Sequence, residues 1–296
     1  MNAVVSTPAT VLSTLERTTD AFAHAGVDSP RLCAELLLGR VLGLERISLY
    51  AQFDRPLTGM ELTAFEAFVG RRLKREPVQY ILGDTSFMGL TFRVSPHVLI
   101  PRPETELLVE RVMEEERARP GTTRRVLDIG TGSGCIAVAV AHFVPGAHID
   151  AIDVSAEALA LARSNARELL PGGNERVAFC EADVRTEPYQ GPRGPFDLIV
   201  SNPPYISESE LLLCEPEVRS FEPRVATTDG ADGLTFYRAI ARLAGSILSP
   251  GGRVMVEVGH DQAERVQAIF RAAGAGSVAT FNDYAGIARI VQAGGY

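Results

Sequence analysis

The sequence predicts an α/β protein built from a small helical bundle, a β-hairpin connector and a doubly wound domain with a largely parallel sheet. From residue 125 onward, apolar runs typical of buried strands alternate with helical patterns. The first third shows apolar residues at helical spacing, whereas residues 78–100 carry short runs rich in Leu, Phe, Val and Ile. We therefore expect a helical domain over residues 1–76, a hairpin linker over 77–100 and the α/β domain over 101–296.

The N-terminal third carries helix start signals as well as helical periodicity. Apolar residues recur on one face in three stretches, Val11–Ala25, Leu32–Val41 and Leu62–Leu73. Ser29 precedes a proline, which is typical of an N-cap followed by the first helical residue. Thr58 stands three residues before Glu61, which is the spacing of a capping box. These helices hold no cluster of titratable groups, so we expect a bundle used for packing or for binding a partner.

The α/β part is predicted to contain seven strands separated by helices. The strands are expected near 125–129, 147–152, 176–181, 196–201, 252–258, 276–281 and 287–293. The helices between them are expected to begin near Gly134, Ala156, Gly233 and Asp261. A further helix follows the rigid turn 100–106, where Glu104 and Glu106 suit the dipole of a first helical turn. The run Arg119–Thr123 is typical of a surface linker.

Composition favours an ordinary globular protein and weighs against some partners. Of the 296 residues, 46% are hydrophobic and 22% are charged, the net charge is -8 and the pI is about 5.3. Proteins that track nucleic acid usually present a basic face, so this balance argues against direct nucleic-acid binding. The four cysteines are scattered without a C-x-x-C pair, so we expect reduced thiols and no metal site. The sequence has no apolar run of membrane length and no signal peptide, so we expect a cytoplasmic protein without membrane contact. We also expect the protein to be a monomer.

A glycine-rich turn follows the first predicted strand of the α/β part. The strand ends at Asp128 and Ile129, and the turn consists of Gly130, Thr131, Gly132, Ser133 and Gly134. Three glycines in five residues let the backbone pass close to a ligand, where a Cβ would clash. The turn does not extend to G-x-G-x-x-G, because residue 135 is a cysteine, and this disfavours a dinucleotide. No P-loop pattern is present either.

Acidic residues end the second and third strands. Asp153 closes the second strand, and Asp183 followed by Val184 comes directly after the third. A carboxylate can accept both O–H donors of a ribose. Asp183 would lie beside an adenine amino group, with Val184 against the ring. Each carboxylate alone is better explained as a helix cap or a surface charge, but the ordered set with the glycine turn predicts a nucleoside cofactor.

This set of residues resembles the class I S-adenosylmethionine-dependent methyltransferases from about residue 125 to the C-terminus. The resemblance implies a Rossmann-like, seven-stranded domain with S-adenosyl-L-methionine as cofactor and S-adenosyl-L-homocysteine as product. It puts the turn Gly130–Gly134 along the methionine part of the cofactor, Asp153 on the ribose and Asp183 on the adenine. Asp128 would support the turn near the cofactor's ammonium group.

The fourth strand is followed by a sequence run that indicates a type of reaction once a cofactor site is predicted next to it. The apolar strand 196–201 is followed by Asn202, Pro203, Pro204 and Tyr205. The prolines stop the strand because they cannot donate to a sheet ladder, which holds Asn202 and Tyr205 at its carboxyl end. Ligands of open α/β sheets bind at that end. Asn-Pro on its own would indicate only a capped turn. Within the methyltransferase family, the run resembles enzymes that methylate planar nitrogens.

A planar nitrogen is a poor nucleophile because its lone pair is delocalised. We expect the Asn202 side-chain oxygen and the Pro203 carbonyl to accept hydrogen bonds from its two N–H groups, which turns the lone pair toward the methyl carbon. Tyr205 would lie against the planar group and exclude water. No general base is needed, because the methylated cationic nitrogen loses its proton afterwards. We assign no role to the histidines, His24, His97, His142, His148 and His260.

Four further runs resemble the PrmC/HemK protein glutamine methyltransferases, so that the likeness covers nearly the whole chain. These runs are Pro77–Gly83, Leu99–Glu106, Glu222–Arg224 and Asp232–Leu234. The most specific is Pro-Arg-Pro-Glu-Thr-Glu, which usually differs in the sister group that acts on a ribosomal protein. The resemblance implies N5-methylation of the glutamine in the Gly-Gly-Gln loop of class I peptide chain release factors. Ala288 departs from the family, which often has an acid there, so the contacts of the last hairpin stay open.

Other functions are compatible with parts of this pattern. An N6-adenine methyltransferase of DNA or RNA would use the same planar-nitrogen chemistry, but it needs a base-flipping pocket and usually a basic recognition region. A glutamine methyltransferase of a ribosomal protein would share the chemistry and differ in substrate. A cofactor-binding protein whose N-terminal helices dock a partner would not need Asn202 and Tyr205.

Overall fold

The chain divides into two compact units, Met1–Gly83 and Asp84–Tyr296. The computed structural model describes residues 9–118, 120, 125–186, 189–192 and 194–296. Within these residues no helix is both long and apolar enough to cross a membrane. The predicted surface linker Arg119–Thr123 lies, apart from Pro120, outside the described residues.

The described part of the first unit is helical. Helices α1 to α5 span Val11–His24, Pro30–Leu42, Arg46–Tyr50, Gly59–Leu73 and Val78–Leu82. Large apolar side chains from α1, α2 and α4 meet in its core, among them Leu15, Phe22, Leu37, Leu38 and Phe65. The predicted capping box at the start of α4 is confirmed. The Thr58 hydroxyl accepts from the Glu61 N–H, and the Glu61 carboxylate accepts from the Thr58 N–H.

The predicted start of α2 is confirmed, with Ser29 as the N-cap and Pro30 as the first helical residue, whereas the predicted apolar face is only partly buried. Ser29 occupies the N-cap position, but its side chain does not cap the helix. Its backbone is left-handed (φ 47°), and its hydroxyl donates to the Asp28 carboxylate at 3.1 Å instead. The inward face is also shifted, because Leu32 is 38% exposed whereas Cys33 and Leu37 are buried. Composition alone could not choose between these faces, since leucines stand on both.

The predicted hairpin linker over 77–100 is partly helical. Pro77 is the N-cap of the short helix α5, and Gly83 ends it in a left-handed conformation (φ 83°). Four of the five residues 78–82 are hydrophobic, and so short a run fits a strand or a buried helix equally well by periodicity, which explains the error. The hairpin itself is shorter, and its strands β1 and β2 span Asp84–Phe87 and Leu90–Arg93.

The second unit continues with a helix and then the alternating strands and helices. Strands β3 to β9 span Arg125–Ile129, His148–Asp153, Val177–Glu181, Phe196–Ser201, Leu248–Glu257, Ser277–Asn282 and Ala288–Gly294. Helices α6 to α13 span Pro103–Ala118, Cys135–Phe143, Ala156–Leu169, Glu208–Leu211, Pro216–Phe221, Arg224–Thr227, Thr235–Ile247 and Ala263–Ala272. The seven predicted strands are all found, although β7 begins four residues earlier than 252. The short helices α9 to α11 were not predicted.

The seven strands form one sheet in the order β5-β4-β3-β6-β7-β9-β8. The pairs from β5 to β7 are parallel, and β9 runs antiparallel to both β7 and β8. Side chains of each strand alternate between two apolar layers. Val126 and Leu198 face the layer with α6 and α7, whereas Leu127 faces the layer with α12 and α13. The predicted Rossmann-like α/β class is confirmed.

A buried carboxylate ties α2 to α3 in the first unit. The Glu35 side chain is 1% exposed and accepts hydrogen bonds from Arg31 at 2.7 Å, Arg46 at 2.9 Å and the Tyr50 hydroxyl at 2.6 Å. Burial raises the pKa of Glu35, but the three donors outweigh it and leave the pKa below the ordinary 4.5. Ionised Glu35 therefore stabilises the fold at neutral pH. This contribution is lost as the pH falls below about 4.5 through the lowered folded-state pKa.

We expect Glu35→Ala to lower the free energy of unfolding by about 2 kcal/mol at pH 7. The figure is at the low end for charge-assisted hydrogen bonds, because both arginines are partly exposed and can turn to water. Glu35→Gln, which keeps the shape and an acceptor, should lose about half as much. Urea unfolding followed by circular dichroism measures both variants. A difference below about 0.5 kcal/mol between Glu35→Ala and wild type would contradict this account.

Candidate active site

The predicted site segments meet at one edge of the sheet. Strands β5, β4, β3 and β6 are neighbours and parallel, so their carboxyl ends lie side by side. A cavity of about 930 Å³, including its open mouth, lies at this edge. Ten of the predicted site residues line it, namely Gly130, Thr131, Gly132, Ser133, Asp153, Asp183, Val184, Asn202, Pro203 and Pro204. Asp128, Gly134 and Tyr205 do not line this cavity.

The glycine turn takes backbone conformations that only glycine adopts without strain. Gly130, Gly132 and Gly134 have φ values of 74°, 54° and 80°. The turn is held to the neighbouring strand, because the backbone N–H groups of Gly130 and Thr131 both donate to the Ile152 carbonyl at 2.9 Å. Gly134 packs against α8 instead of the cavity. A Cβ there would stand 3.1 Å from the Cβ of Ala162.

Asp128 supports the turn from behind. It is fully buried, and its Oδ2 accepts from the Thr131 hydroxyl at 2.7 Å. Its Oδ1 is buried and has no hydrogen-bond partner in the described part of the chain. Burial, opposed in part by the Thr131 hydrogen bond, raises the pKa of Asp128 to about 7.

Asp153 ends β4 with its carboxylate beside the glycine turn. Its Oδ2 accepts from the Gly132 N–H at 2.9 Å, and its Oδ1 accepts from the Ser155 N–H at 3.0 Å. Burial raises the pKa of Asp153. A carboxylate has about four acceptor positions, so each oxygen keeps capacity for one more donor from the cavity. This arrangement fits a ligand that presents two hydroxyl groups.

Asp183 and Val184 line the cavity after β5, with contacts that the sequence did not reveal. Both Asp183 oxygens accept from the guanidinium group of Arg185, at 2.8 to 3.1 Å. This hydrogen bonding lowers the pKa of Asp183 and keeps it ionised. The Arg185 guanidinium carbon also lies 5.0 Å from the ring centre of Phe236, which lines the cavity. His97, to which we assigned no role, lines the cavity as well.

Asn202 presents an unused acceptor where two cavities meet. Its Nδ2 donates to the Thr105 hydroxyl at 2.9 Å, and its Oδ1 is buried and finds no hydrogen-bond partner among the described residues. Asn202 and Pro203 line both the first cavity and a second of about 580 Å³. Tyr205 lines the second cavity and not the first, so it lies on the side of Asn202 that faces away from the first cavity. Burial raises the pKa of Tyr205, which keeps its hydroxyl protonated.

The runs that resemble the glutamine methyltransferases brace this junction from distant parts of the chain. Arg102 pairs with the buried Glu222 at 2.6 Å, and the same carboxyl group accepts from the Ile100 N–H at 3.4 Å. Burial raises the pKa of Glu222, and Arg102 opposes that rise. At Gly233 (φ 77°) a Cβ would come within 2.4 Å of the Tyr205 carbonyl oxygen, so only glycine fits.

Glu106 has a role beyond helix capping. Its Oε1 accepts from the backbone N–H of Met88 at 2.6 Å, in the turn of the β1–β2 hairpin. Met88 has a left-handed backbone (φ 51°), so this hydrogen bond stabilises a turn that its own residue type disfavours. The acidic residue thereby fastens the hairpin to α6.

Comparison with known proteins gives the family. Residues 13–83 match the PrmC N-terminal domain, and residues 103–213 match the methyltransferase small domain. A release factor glutamine methyltransferase of Geobacter sulfurreducens is 46% identical over 282 residues, which cover 95% of this chain and 95% of that protein. The chain belongs to the family of release factor glutamine methyltransferases. Another member, from Chlorobaculum tepidum, is 47% identical over 261 residues, covering 87% of this chain and 88% of that protein.

Membership in the release factor glutamine methyltransferases confirms the resemblance drawn from the sequence runs around Leu99–Glu106. A crystal structure of a methyltransferase from Pyrococcus furiosus covers 70% of this chain and 90% of that chain, with a TM-score of 0.52. At 19% identity this likeness shows the fold alone. The fold agrees with the methyltransferase class of the family.

We expect Gly134→Ala to destabilise this protein more than Gly132→Ala. Both substitutions put a Cβ on a left-handed residue, which costs about 1 kcal/mol. Only the Gly134 variant also crowds Ala162, so its total loss should reach about 3 kcal/mol, whereas the Cβ of the Gly132 variant meets open space. Thermal and urea unfolding measure the two. Equal losses would mean that α8 moves away without cost.

Proposed function

We propose that this chain transfers a methyl group from S-adenosyl-L-methionine to the side-chain amide nitrogen, N5, of the glutamine in the Gly-Gly-Gln motif of class I peptide chain release factors. The methylated release factor would then act in translation termination. Family membership supports the reaction class, and the names of the relatives support the substrate. The single structural observation that carries the proposal is the unpartnered, buried Oδ1 of Asn202 at the junction of two cavities.

The residues around the first cavity fit the proposed cofactor. S-adenosyl-L-methionine supplies an electrophilic methyl group and leaves as S-adenosyl-L-homocysteine. The backbone of Gly130–Gly132 would lie along its methionine part, and the free acceptor positions of Asp153 would take the two ribose hydroxyls. Val184 and Phe236 offer apolar surface for the adenine, and Asp183 stands beside them. Asp128 would act through Thr131 and the turn, since it does not reach the cavity.

The second cavity fits the proposed glutamine side chain. A carboxamide that enters it meets Asn202 and Pro203 at the junction and Tyr205 along the wall. The Asn202 Oδ1 and the Pro203 carbonyl would accept from the two amide N–H groups. This favours the form of the amide in which positive charge develops on nitrogen. The planar Tyr205 ring would cover the amide and exclude water.

A methyl-transfer assay with defined substrates tests this function. The chain is incubated with methyl-labelled cofactor and either a class I release factor, a ribosomal protein or adenine-containing nucleic acid. We expect a gain of one methyl group, located by mass spectrometry on the Gly-Gly-Gln peptide. A release factor whose motif glutamine is changed to glutamate is the matched control and should take up no label. If only the nucleic acid or only the ribosomal protein takes up label, that molecule is the substrate and the release factor is not.

We expect Asp153→Ala to weaken cofactor binding by about 10- to 150-fold while the fold stays intact. The estimate corresponds to the loss of a charge-assisted hydrogen bond of about 1.5–3 kcal/mol. Calorimetry with S-adenosyl-L-methionine measures the affinity. Asp150→Asn is the control on the same strand, since Asp150 does not line the cavity and should leave affinity unchanged. Unchanged affinity in a folded Asp153→Ala protein would refute the ribose assignment.

Asn202→Ala should keep most cofactor binding and lose methyl transfer. Removal of one preorganised polar partner costs on the order of 100- to 1000-fold in turnover, and misalignment of the amide adds to this. Asn202→Asp keeps the shape and an acceptor but adds a negative charge, so cofactor binding should hold while transfer falls. Single-turnover kinetics at saturating cofactor separate binding from chemistry. A folded Asn202→Ala protein within about threefold of the wild-type rate would make this residue a simple strand-end cap.

We also propose that the N-terminal unit recognises the protein substrate. Every predicted cofactor residue lies after residue 125, and residues 13–83 match a separate domain family. A chain that starts at Asp84 should bind S-adenosyl-L-methionine with wild-type affinity but methylate the release factor poorly. Calorimetry and the mass assay measure the two properties. If the folded short chain methylates the release factor at the full rate, the second unit recognises the protein substrate and the N-terminal unit does not.

A further inference from the structure

Asn165 is a buried polar side chain that joins a helix to two segments near the first cavity. It lies on α8 and is 1% exposed. Its Oδ1 accepts from the backbone N–H of Arg93 at 2.9 Å. Its Nδ2 donates to the Arg93 carbonyl at 3.1 Å and to the Ser133 carbonyl at 2.8 Å. These hydrogen bonds connect α8 to the last residue of β2 and to the glycine turn.

The backbone groups around Asn165 fix the orientation of its side-chain amide. Such an amide has two N–H donors on its nitrogen and lone pairs on its oxygen. The carbonyls of Arg93 and Ser133 accept from the nitrogen, and the Arg93 N–H donates to the oxygen. A flipped amide would set its oxygen against two carbonyl oxygens and its NH2 group against an N–H group. Only one orientation satisfies every group, so Asn165 holds both segments in a defined position.

The two segments that Asn165 holds contribute to the lining of the first cavity. Ser133 lines this cavity directly. Arg93 leads into residues 94–102, here named the wall segment, which also lines it. The lining residues of the wall segment are His97, Val98, Leu99, Pro101 and Arg102. Asn165 itself lines neither the first nor the second cavity, so any effect on a ligand passes through these neighbours.

The wall segment depends on side chains from other elements for its geometry. It lies between β2 and α6 and forms neither helix nor strand. Its far end is held by Glu222, which accepts from the Ile100 N–H at 3.4 Å and pairs with Arg102 at 2.6 Å. Its near end follows Arg93, which Asn165 holds. Irregular backbone of this kind is mobile unless such contacts order it.

We propose that Asn165 is a positioning residue that fixes the wall segment relative to the glycine turn and thereby sets the affinity for the cofactor. This rests on the proposed function, in which the first cavity takes S-adenosyl-L-methionine. A wall that is already ordered costs no ordering entropy when the ligand binds, whereas a mobile wall weakens binding by that cost. The loss of Asn165 should therefore reduce cofactor affinity more than the rate of transfer from bound cofactor.

The contacts of Asn165 favour positioning over simple packing. A buried amide is costly unless its polar atoms are hydrogen-bonded, and an apolar side chain of similar size would fill the same space. The Arg93 side chain makes a different contact with α8, since it pairs with Glu168 at 2.9 Å and both side chains are more than half exposed. Such a surface pair contributes little. Substitution of the Arg93 side chain is therefore a matched control that leaves its backbone hydrogen bonds to Asn165 in place.

Asn165→Asp against Arg93→Ala is the first test. Aspartate keeps the shape and the acceptor for the Arg93 N–H, but it sets a second oxygen against the two carbonyls. Calorimetry should show an affinity for S-adenosyl-L-methionine that is lower by about 10- to 100-fold. The single-turnover rate at saturating cofactor should stay within about threefold of wild type, and Arg93→Ala should keep wild-type affinity. A folded Asn165→Asp protein with cofactor affinity within about threefold of wild type would overturn the proposal.

Val109→Ala separates positioning from overall stability. Val109 is fully buried on α6 and lines neither cavity. Its truncation leaves a void in the apolar layer and lowers the free energy of unfolding, which urea unfolding measures. Cofactor affinity should nevertheless stay at the wild-type value. An affinity loss equal to that of Asn165→Asp would assign the effect of Asn165 to stability and sink the positioning role.

Hydrogen exchange read by mass spectrometry tests the wall segment without any activity. Asn165→Ala is the second variant, because it removes all three hydrogen bonds without adding a charge. Peptides that contain Arg93 and the wall segment should exchange at least about tenfold faster than in wild type, and peptides from α12 should not change. Unchanged exchange in the wall segment overturns the positioning role. Faster exchange in the variant, combined with a wild type that binds no S-adenosyl-L-methionine, overturns the proposed cofactor site alone.

Discussion

Parallel pairing between β3 and β6 is the constraint on which the site depends. The register sets Ile129 opposite Ser201, and the Ser201 hydroxyl donates to the Ile129 carbonyl at 2.7 Å. Both strands run in the same direction and leave the sheet after this pair. The glycine turn and Asn202 therefore emerge side by side. A slip of one residue would turn the side chains of β6 to the opposite faces and move Asn202 away from the turn.

The loop that carries Asn202 is held by groups from far along the chain. Thr105 holds the side chain of Asn202, and Gly233 makes room for the carbonyl of Tyr205. Glu222 receives Arg102 and the Ile100 N–H, so it joins the start of α6 to the segment after α10. Irregular backbone is mobile unless such contacts order it. These braces allow the loop after β6 to present one fixed geometry at the cavity junction.

Three buried carboxyl groups near the site reduce the stability of the folded protein. Burial raises the pKa of Asp128, Glu222 and Glu257, and two of these three have an oxygen without a partner in the described residues. Apolar residues of similar size would often be neutral or more stabilising at such positions. Perturbed carboxyl groups concentrate at functional sites, where geometry matters more than stability. Asp128 and Glu257 line neither cavity, and Asp128 acts on the first cavity through Thr131. Glu222 lines the second cavity together with its partner Arg102.

The sequence determined the features that depend on neighbours along the chain, and the tertiary structure decided those that depend on distant groups. Alternating apolar runs, glycine at the turn and proline after β6 act locally, so the strands, the Rossmann-like class and the cavity edge could be predicted. The Val78–Leu82 run was misassigned because a short apolar segment fits a helix or a strand until packing selects one. Arg185, Phe236 and Glu257 carried no motif and came into view only through their contacts. Thr105 stood in a recognised run, but the orientation of Asn202 depends on a hydrogen bond across 97 residues, which no local pattern encodes.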